Sequence, residues 1–396
     1  MKVTIIGMPG CGNLGDDLIS QLLVKKICAE YKPSEIGVIC GDHFKSNDYS
    51  IENDVKLIPL KKPRKRSFEQ FFTRKRIINK FISQSELIFI GGGGLLQDTH
   101  SIFTIHNYLR FIRCATKAII FVGIGVGPIN HYLNRLYLKK ILNIDNIYIQ
   151  VRDKESRDVL KSIGIEKTIH LGPDIVEGSP VISFEPKEQK NNSILGINIR
   201  KWPDLETSKL VDIIKDIIKD KNIDTIKFFI FENTIDNNIE KDFSAFIAKR
   251  IQEKTKVKTY TFVYNEISNK KFFSEFYNID YAISSRYHAN ILWQKANIPT
   301  LPIVYSPKVS SLYKKYNKQA HTFTEIVKSN MTVFLEINNL QNYKLPQTEA
   351  VKINISTGVK IFICTISIVE FIYSISRSLL LLLNKRLNAL CIKQDF

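Results

Sequence analysis

The sequence predicts an α/β protein of two doubly wound domains, and three observations carry that expectation. Short apolar runs alternate with amphipathic stretches, the pattern of parallel strands joined by crossover helices. Glycines follow several of those runs, as in LIFIGGGGLLQD at 87–98 and IIFVGIGVGPI at 119–129, and such loops sit at the carboxyl ends of parallel strands, where open sheets bind ligands. A stretch rich in Pro, Ser, Asn and charge, EGSPVISFEPKEQKNNS at 177–193, then separates two alternating series. A length of 396 residues suits two domains, and 44% hydrophobic residues can fill two cores.

In the first series the runs 2–7, 36–40, 86–90, 118–122, 147–151 and 168–171 read as strands, with helical patterns between them. In the second, strands are expected at 194–199, 226–231, 256–262, 280–284 and 300–305. The domains are therefore placed at 1–178 and 193–345, facing a cleft, with 351–396 set apart as a tail; no internal repeat is visible. The tail contains GVKIFICTISIVEFIYSISRSLLLLLN at 358–384, long enough to span a bilayer. Glu370 would then lie near the centre at a cost of about 2.5–3.5 kcal/mol, with Arg377 adding to it. On a helix Lys360, Ser367, Glu370, Ser374, Arg377, Ser378 and Lys385 share one narrow stripe. That pattern predicts an amphipathic helix with its apolar face in a membrane interface or against the protein.

Lys and Arg number 57 against 39 Asp and Glu, a net charge of +18, which favours an anionic partner such as nucleic acid, a phospholipid surface or a phosphorylated substrate. The run KKPRKRSFEQFFTRKR at 61–76 interleaves Phe68, Phe71 and Phe72 with cations; it suits an anionic membrane or nucleic acid, or simply a solvated helix face. Cys11, Cys28, Cys40, Cys114, Cys364 and Cys391 form no C-x-x-C pair, so neither a disulfide framework nor a zinc site is expected. No His and carboxylate spacing resembles a metal site. A reducing cytosol fits this cysteine usage, and the apolar start, broken at Met8-Pro9-Gly10, is too short for a secretory segment.

Gly10, Gly12 and Gly15 complete a G-x-G-x-x-G between an apolar run and a helical pattern, the arrangement that places a dinucleotide pyrophosphate on a helix N-terminus. Asp16 and Asp17 occupy that helix end, however, where two carboxylates compete for the amide donors and repel phosphate. Asp42 falls late for a ribose ligand, and a nicotinamide or flavin site is disfavoured. A tight turn with a capping residue is the plain alternative. A carboxylate on such a loop also accepts hydrogen bonds from sugar hydroxyls or takes a proton from one.

Together GNLGDDLI at 12–19, GGGGLLQD at 91–98, VGIGVGPI at 122–129, VRDKESRDVLKSIGI at 151–165, LGPDIV at 171–176 and SSRYHANILWQKANIPTLPIVYSPK at 284–308 resemble the polysaccharide pyruvyl transferase family. The resemblance implies two Rossmann-like domains of GT-B-like architecture. It also implies transfer of a pyruvyl group from phosphoenolpyruvate to a glycan or its lipid-linked precursor, commonly as a ketal. Phosphoenolpyruvate would be a co-substrate, with no further cofactor, and no nucleic-acid partner is implied. The family's Arg, apolar residue, His motif is associated with the donor; here it is Arg286-Tyr287-His288, with Tyr in place of the usual leucine. Arg286 suits phosphate and carboxylate oxygens, Ser284 and Ser285 with the helix-start amides would add neutral donors, and Arg200 resembles another donor-facing position. His288, whose side-chain type titrates near neutrality, would be the general acid, unless it merely bonds a backbone carbonyl at a helix start. Asp16 or Asp17 would act as base on the acceptor hydroxyl. On the acceptor side stand Asn13, Gly92, Gly93 and Asp98, the glycines alternatively serving close packing and Asp98 a helix start. Arg152 is expected to pair with Asp153 or Asp174. Because such enzymes often act on lipid-linked precursors, a cytoplasmic protein peripheral on the membrane is expected. A GT-B glycosyltransferase using a nucleotide sugar and a non-catalytic glycan-binding protein are the competing readings.

Overall fold

The computed structural model describes residues 1–49, 51, 55–62, 68–99, 101–179, 193–234, 238–329, 333–335, 360–361, 363–369 and 373. The first half runs β1 (Lys2–Ile6), α1 (Leu14–Tyr31), β2 (Glu35–Cys40), β3 (Lys56–Lys61), α2 (Phe68–Gln84), β4 (Leu87–Leu96), α3 (Thr104–Leu109), β5 (Ala118–Val126), α4 (Tyr132–Leu142), β6 (Ile147–Val151), α5 (Lys154–Ile163) and β7 (Ile169–Leu171). The second runs β8 (Ser193–Asn198), α6 (Thr207–Asp220), β9 (Ile223–Ile230), α7 (Ile239–Gln252), β10 (Lys258–Val263), α8 (Asn269–Tyr277), β11 (Tyr281–Ser284), α9 (Tyr287–Lys295), β12 (Thr300–Val304), α10 (Pro307–Lys315), β13 (His321–Thr322) and α11 (Phe323–Ser329). All paired strands are parallel, in the orders β3-β2-β1-β4-β5-β6-β7 and β10-β9-β8-β11-β12-β13. In each sheet the crossover direction reverses beside the first strand, between β1 and β4 and between β8 and β11. Crevices at such reversals are where open sheets hold their ligands.

Continuous apolar runs form the central strands because helices cover both faces of a parallel sheet; every residue of β5 is buried. One core joins a face of each sheet, combining Val3, Ile5, Leu18 and Phe89 with Phe229, Phe276 and Trp293. Leu14, Phe231, Tyr264 and Tyr287 belong to the same core, so apolar contact runs through the interface that frames the cleft. Two further clusters fill the remaining face of each sheet.

Three features differ from the sequence expectation. β3 carries Pro59 and polar ends, and lies at the sheet edge where a missing ladder N–H is tolerated; β13 has only two residues. Neither offers a readable apolar run. The glycines expected in loops lie inside strands: β4 continues through Gly91–Gly94 and β5 through Gly123 and Gly125. Register shifts accompany them, and Gly92, Gly93 and Gly123 take φ of +71°, +76° and +56°, as bulged positions do.

Residues 180–192 of the expected linker, 63–67 of the basic run and most of the 351–396 tail lie outside the described residues. The described tail residues are helical and pack on the first domain. Ile363 is fully buried in its core, and Ser367 Oγ lies 2.9 Å from His106 Nε2. Ser367 therefore faces the protein, while Ile361, Ile368, Val369 and Tyr373 are exposed. Among the described residues, no helix is long and apolar enough to cross a membrane.

Candidate active site between the two sheets

The loop from β1 into α1 is bound directly to the second domain. Leu14 N donates to Phe231 O at 2.9 Å and Asn233 N to Gly12 O at 3.1 Å, while Asn13 bridges Glu232. Asn13 is also the N-cap of α1, its side chain accepting from Gly15 N at 3.0 Å. The glycine fingerprint follows from this docking. A methyl group on Gly15 would stand 2.0 Å from His288 Nδ1, and one on Gly12, at φ +82°, 2.4 Å from Thr234 Cγ2. The spacing that suggests a pyrophosphate turn admits a neighbouring domain instead, and Asp42 accepts from Arg74 at 3.2 Å.

Asp16 and Asp17 start α1 half-buried in the cleft. Burial pushes the Asp17 carboxyl up to about 6, against hydrogen bonds from Gly10 N and the Tyr264 hydroxyl, at 2.6 and 3.1 Å. Burial also raises Asp16, opposed by the charges of His288, Lys308, Lys62 and Arg286. Asp16 thus stands within reach of a group of cations, and Asp17 beside it turns to Tyr264.

At the second reversal, Arg286 caps α9 and its Nη2 lies 2.6 Å from both Glu232 and Glu240. Burial alone would lower the Arg286 pKa; Glu240 and Glu232 more than offset it and keep the guanidinium charged. Its Nε is buried without a hydrogen-bond partner. Arg200, 40% exposed, approaches Glu232 at 3.5 Å, and its amide donates to Ser285 Oγ at 2.9 Å. Ser284 Oγ accepts from Arg286 N.

His288 follows in the first turn of α9, 14% exposed, its Nε2 3.7 Å from Asp174 Oδ1. That separation suits an ion pair and is too long for a hydrogen bond, and Nε2 has no hydrogen-bond partner. Burial would raise Asp174, but His288, Arg152 and the Val176 amide hold it below the usual carboxylate range. Arg152 pairs with both expected partners, Asp153 at 3.3 Å and Asp174 at 3.4 Å. Its guanidinium stands 4.5 Å from the Tyr287 ring centroid, a cation–π contact that a leucine at 287 would lack. Gly125 makes room for it, since a methyl there would lie 2.6 Å from Arg152 Nη2.

The other expected acceptor residues are bound into the scaffold. Gly92 lets α1 approach, a methyl there falling 1.8 Å from Ile19 Cγ2, whereas Gly93 lies beside Asp16 Oδ1. Asp98 is 3% exposed and accepts from Asn130 N, His131 N and Asn134 Nδ2 at 2.8–3.0 Å. Asp98 therefore holds the loop into α4, and its carboxylate is fully engaged. Two cations at the cleft escaped the sequence reading. Lys308, beside Pro307 at the start of α10, is solvent-accessible, and desolvation along the cleft wall with the charges of Arg152 and Arg286 lowers its pKa. Lys62, half-buried behind Met8, is lowered by burial. The Ser-Pro-Lys of 306–308 was the only local sign of the first. Among the described residues, no three His, Cys, Asp or Glu side chains converge as metal ligands would.

Comparison with known proteins agrees with this architecture. The sequence model of the family described as polysaccharide pyruvyl transferase matches residues 13–307, from the α1 cap to the start of α10. Curated proteins gave no sequence match. Among solved structures the chain is similar to a putative UDP-N-acetylglucosamine 2-epimerase from Listeria monocytogenes, with 11% identity, 83% of this chain and 86% of that one covered, and a TM-score of 0.52. It is similar also to the UDP-GlcNAc 2-epimerase of Methanocaldococcus jannaschii in complex with UDP-GlcNAc and UDP, with 12% identity, coverage of 93% and 99%, and a TM-score of 0.50. Identity this low speaks for fold alone, and the fold is GT-B-like.

Proposed function

The chain belongs to the polysaccharide pyruvyl transferase family, and on that premise we propose that it moves the pyruvyl group of phosphoenolpyruvate onto a sugar of a surface polysaccharide or its lipid-linked precursor. The observation that carries this reading is the contact between the start of α1, bearing Asp16 and Asp17, and the start of α9, bearing Arg286 and His288, with the charges of Lys308 and Lys62 also acting on Asp16. Phosphoenolpyruvate bears a phosphate and a carboxylate, and a desolvated cleft wall strengthens their attraction to such groups. Arg286, already shared by two carboxylates, positions the α9 turn; Lys308 and His288 are the groups left open to the donor. His288 donates a proton to the methylene carbon, and a sugar hydroxyl attacks the cationic carbon that results. That hydroxyl loses its proton to Asp17 or Asp16 as the bond to phosphate breaks. A second hydroxyl of the same sugar adds to the carbon that phosphate has left and returns a proton to His288, while the proton held by the aspartate leaves with phosphate, so that one phosphoenolpyruvate and one diol give the ketal and inorganic phosphate.

Thermal unfolding with phosphoenolpyruvate, UDP-GlcNAc and NAD in parallel tests the donor. A ligand that binds only the folded state raises the melting temperature by mass action. Stabilisation by phosphoenolpyruvate that disappears in Lys308→Ala and His288→Ala is the expected result. Stabilisation by UDP-GlcNAc or NAD alone would transfer the reading to nucleotide-sugar or redox chemistry. For the lipid-linked acceptor, a peripheral position at a cytoplasmic membrane is supported by the exposed Ile361, Ile368, Val369 and Tyr373 and by Arg113, which lies 3.6 Å from Cys364 of the same segment. Co-sedimentation with anionic vesicles, lost at high salt, is expected; none at any salt would overturn it.

A further inference from the structure

A cleft of about 340 Å³ opens on the side of Asp17 away from the cations, between residues 42–49 after β2 and residues 264–269 after β10. We propose that this pocket holds the neutral sugar ring that accepts the pyruvyl group, with Asp17 at its inner end. The inference rests on the transferase reaction above and adds where the acceptor lies and what chemistry selects it.

The lining decides the ligand class. Phe44 and Tyr49 present rings 5.0 Å apart, and Tyr264 faces them from the second domain. Aromatic faces pack against the C–H face of a sugar, while its hydroxyls need partners that both donate and accept. Gln21 and Asn269 supply amides of that kind on the same walls, while the Asn265 amide is held by Asn233 at 2.8 and 2.9 Å. The lining holds Asp17, Asp42 and Asp48 with Lys45 and His43; Asp42 is paired with Arg74 at 3.2 Å, and the nearby Lys61 is turned to the carbonyls of Gly41 and Asp42. With Asp42 already neutralised by Arg74, the wall carries little net charge, and its rings and amides suit an uncharged polyol. The volume lies within the range of small-molecule sites and accommodates a monosaccharide.

The position also completes the reaction geometry. α1 starts with two adjacent carboxylates, Asp16 toward His288 and Lys308 and Asp17 lining the pocket. The first turn of α1 therefore carries one carboxylate on the anion side and one on the pocket side. The Gly93 and Asp98 side of the loop region, where the sequence placed the acceptor, offers a carboxylate already holding three hydrogen bonds.

Saturation-transfer NMR with methyl glycosides of galactose, glucose, mannose and N-acetylmannosamine tests the pocket in the full chain, with two plugging variants, Asn269→Trp and Gln21→Trp. At least one glycoside should receive saturation from the wild type, with its Kd rising tenfold or more in both plugged proteins. It should bind Lys308→Ala as tightly as the wild type. Stabilisation by phosphoenolpyruvate should show the reverse pattern, kept in the plugged proteins, which also certifies their folding, and lost in Lys308→Ala. Glycoside binding that survives plugging, absence of binding by all four, or loss of phosphoenolpyruvate binding on plugging would each overturn the assignment. Failure of phosphoenolpyruvate to stabilise even the wild type would overturn the donor reading, and the glycoside measurements would still decide the pocket.

Discussion

The two sheets share the order of six strands and differ in what stands at the reversal. In the first domain the turn after β1 ends in carboxylates, Asp16 and Asp17, on a helix whose first amides are capped by Asn13. In the second, the turn after β11 delivers Arg286 and His288. The start of α1, after the first strand of its sheet, thus meets the start of α9, after the fourth strand of the other, and side chains alone make one acidic and the other basic. Fold likeness consequently says nothing of a ligand's charge. The pairing across the cleft is what separates this site from a dinucleotide fold, in which the helix end is left open to phosphate.

The largest effect should come from breaking the basic side. Arg286→Ala leaves Glu232 and Glu240 facing each other in the interior, and removing one member of a buried ion pair typically costs 3–5 kcal/mol. Urea unfolding should show that loss, partly relieved in Arg286→Ala/Glu240→Gln; an unchanged midpoint would mean that Arg286 serves the donor and not the scaffold. Next is the contact between the helix starts. Gly15→Ala suits the helix by up to about 1 kcal/mol, yet the methyl meets His288. Displacement by about 1 Å can cost about 10²-fold in rate, so kcat/KM should fall by about that factor while the melting temperature barely moves.

How much of this was legible divides along the same line. The helix starts, the glycines and the Arg-Tyr-His triplet are local and were readable as a strand, a turn and a helix in succession. Glu232 and Glu240 meet Arg286 from 54 and 46 residues away, and no periodicity announces such a pairing. The glycine fingerprint is ambiguous by itself, because a glycine needed for close approach looks the same whether the neighbour is a phosphate or an imidazole; the two carboxylates beside it decided against phosphate. Gly91–Gly94 read as a loop because glycine weakens strands, but pairing with β5 on one side carries the strand through. Lys308 ends the stretch that carries the family resemblance, but a single lysine after a proline does not by itself mark a site residue; only the cleft gives it company.

The acidic side should respond to pH. Asp17 binds its proton more tightly in the folded state, up to about 6, than the ordinary carboxyl near 3.9. Between those values the folded protein holds more protons than the unfolded chain, so stability falls as pH rises from about 4 through about 6. Asp17→Asn keeps an acceptor for Gly10 N and should remove that decline, gaining less than about 3 kcal/mol above pH 6, the worth of two pKa units. Asp174, held low, contributes with the opposite sign: its stabilisation is present above about 4 and lost as pH falls. As general base Asp17 should carry about 10²–10⁴ of the rate; full turnover in Asp17→Asn with loss in Asp16→Asn would move the role one residue back.

The smallest change separates the two duties assigned to Tyr264. Its hydroxyl donates to Asp17 Oδ2 at 3.1 Å, which favours the ionised carboxylate, while its ring forms a wall of the pocket. Tyr264→Phe removes the donor and keeps the ring, at a stability cost of about 1 kcal/mol. The Asp17 pKa should then rise above 6, and the acid limb of the pH profile of kcat should move to higher pH with it. KM for the acceptor should change little, because the ring face remains. A variant that instead raises KM and leaves the limb in place would show that the hydroxyl binds the sugar and that another group controls the ionisation. The comparison of the two helix starts would then hold for charge and fail for proton transfer.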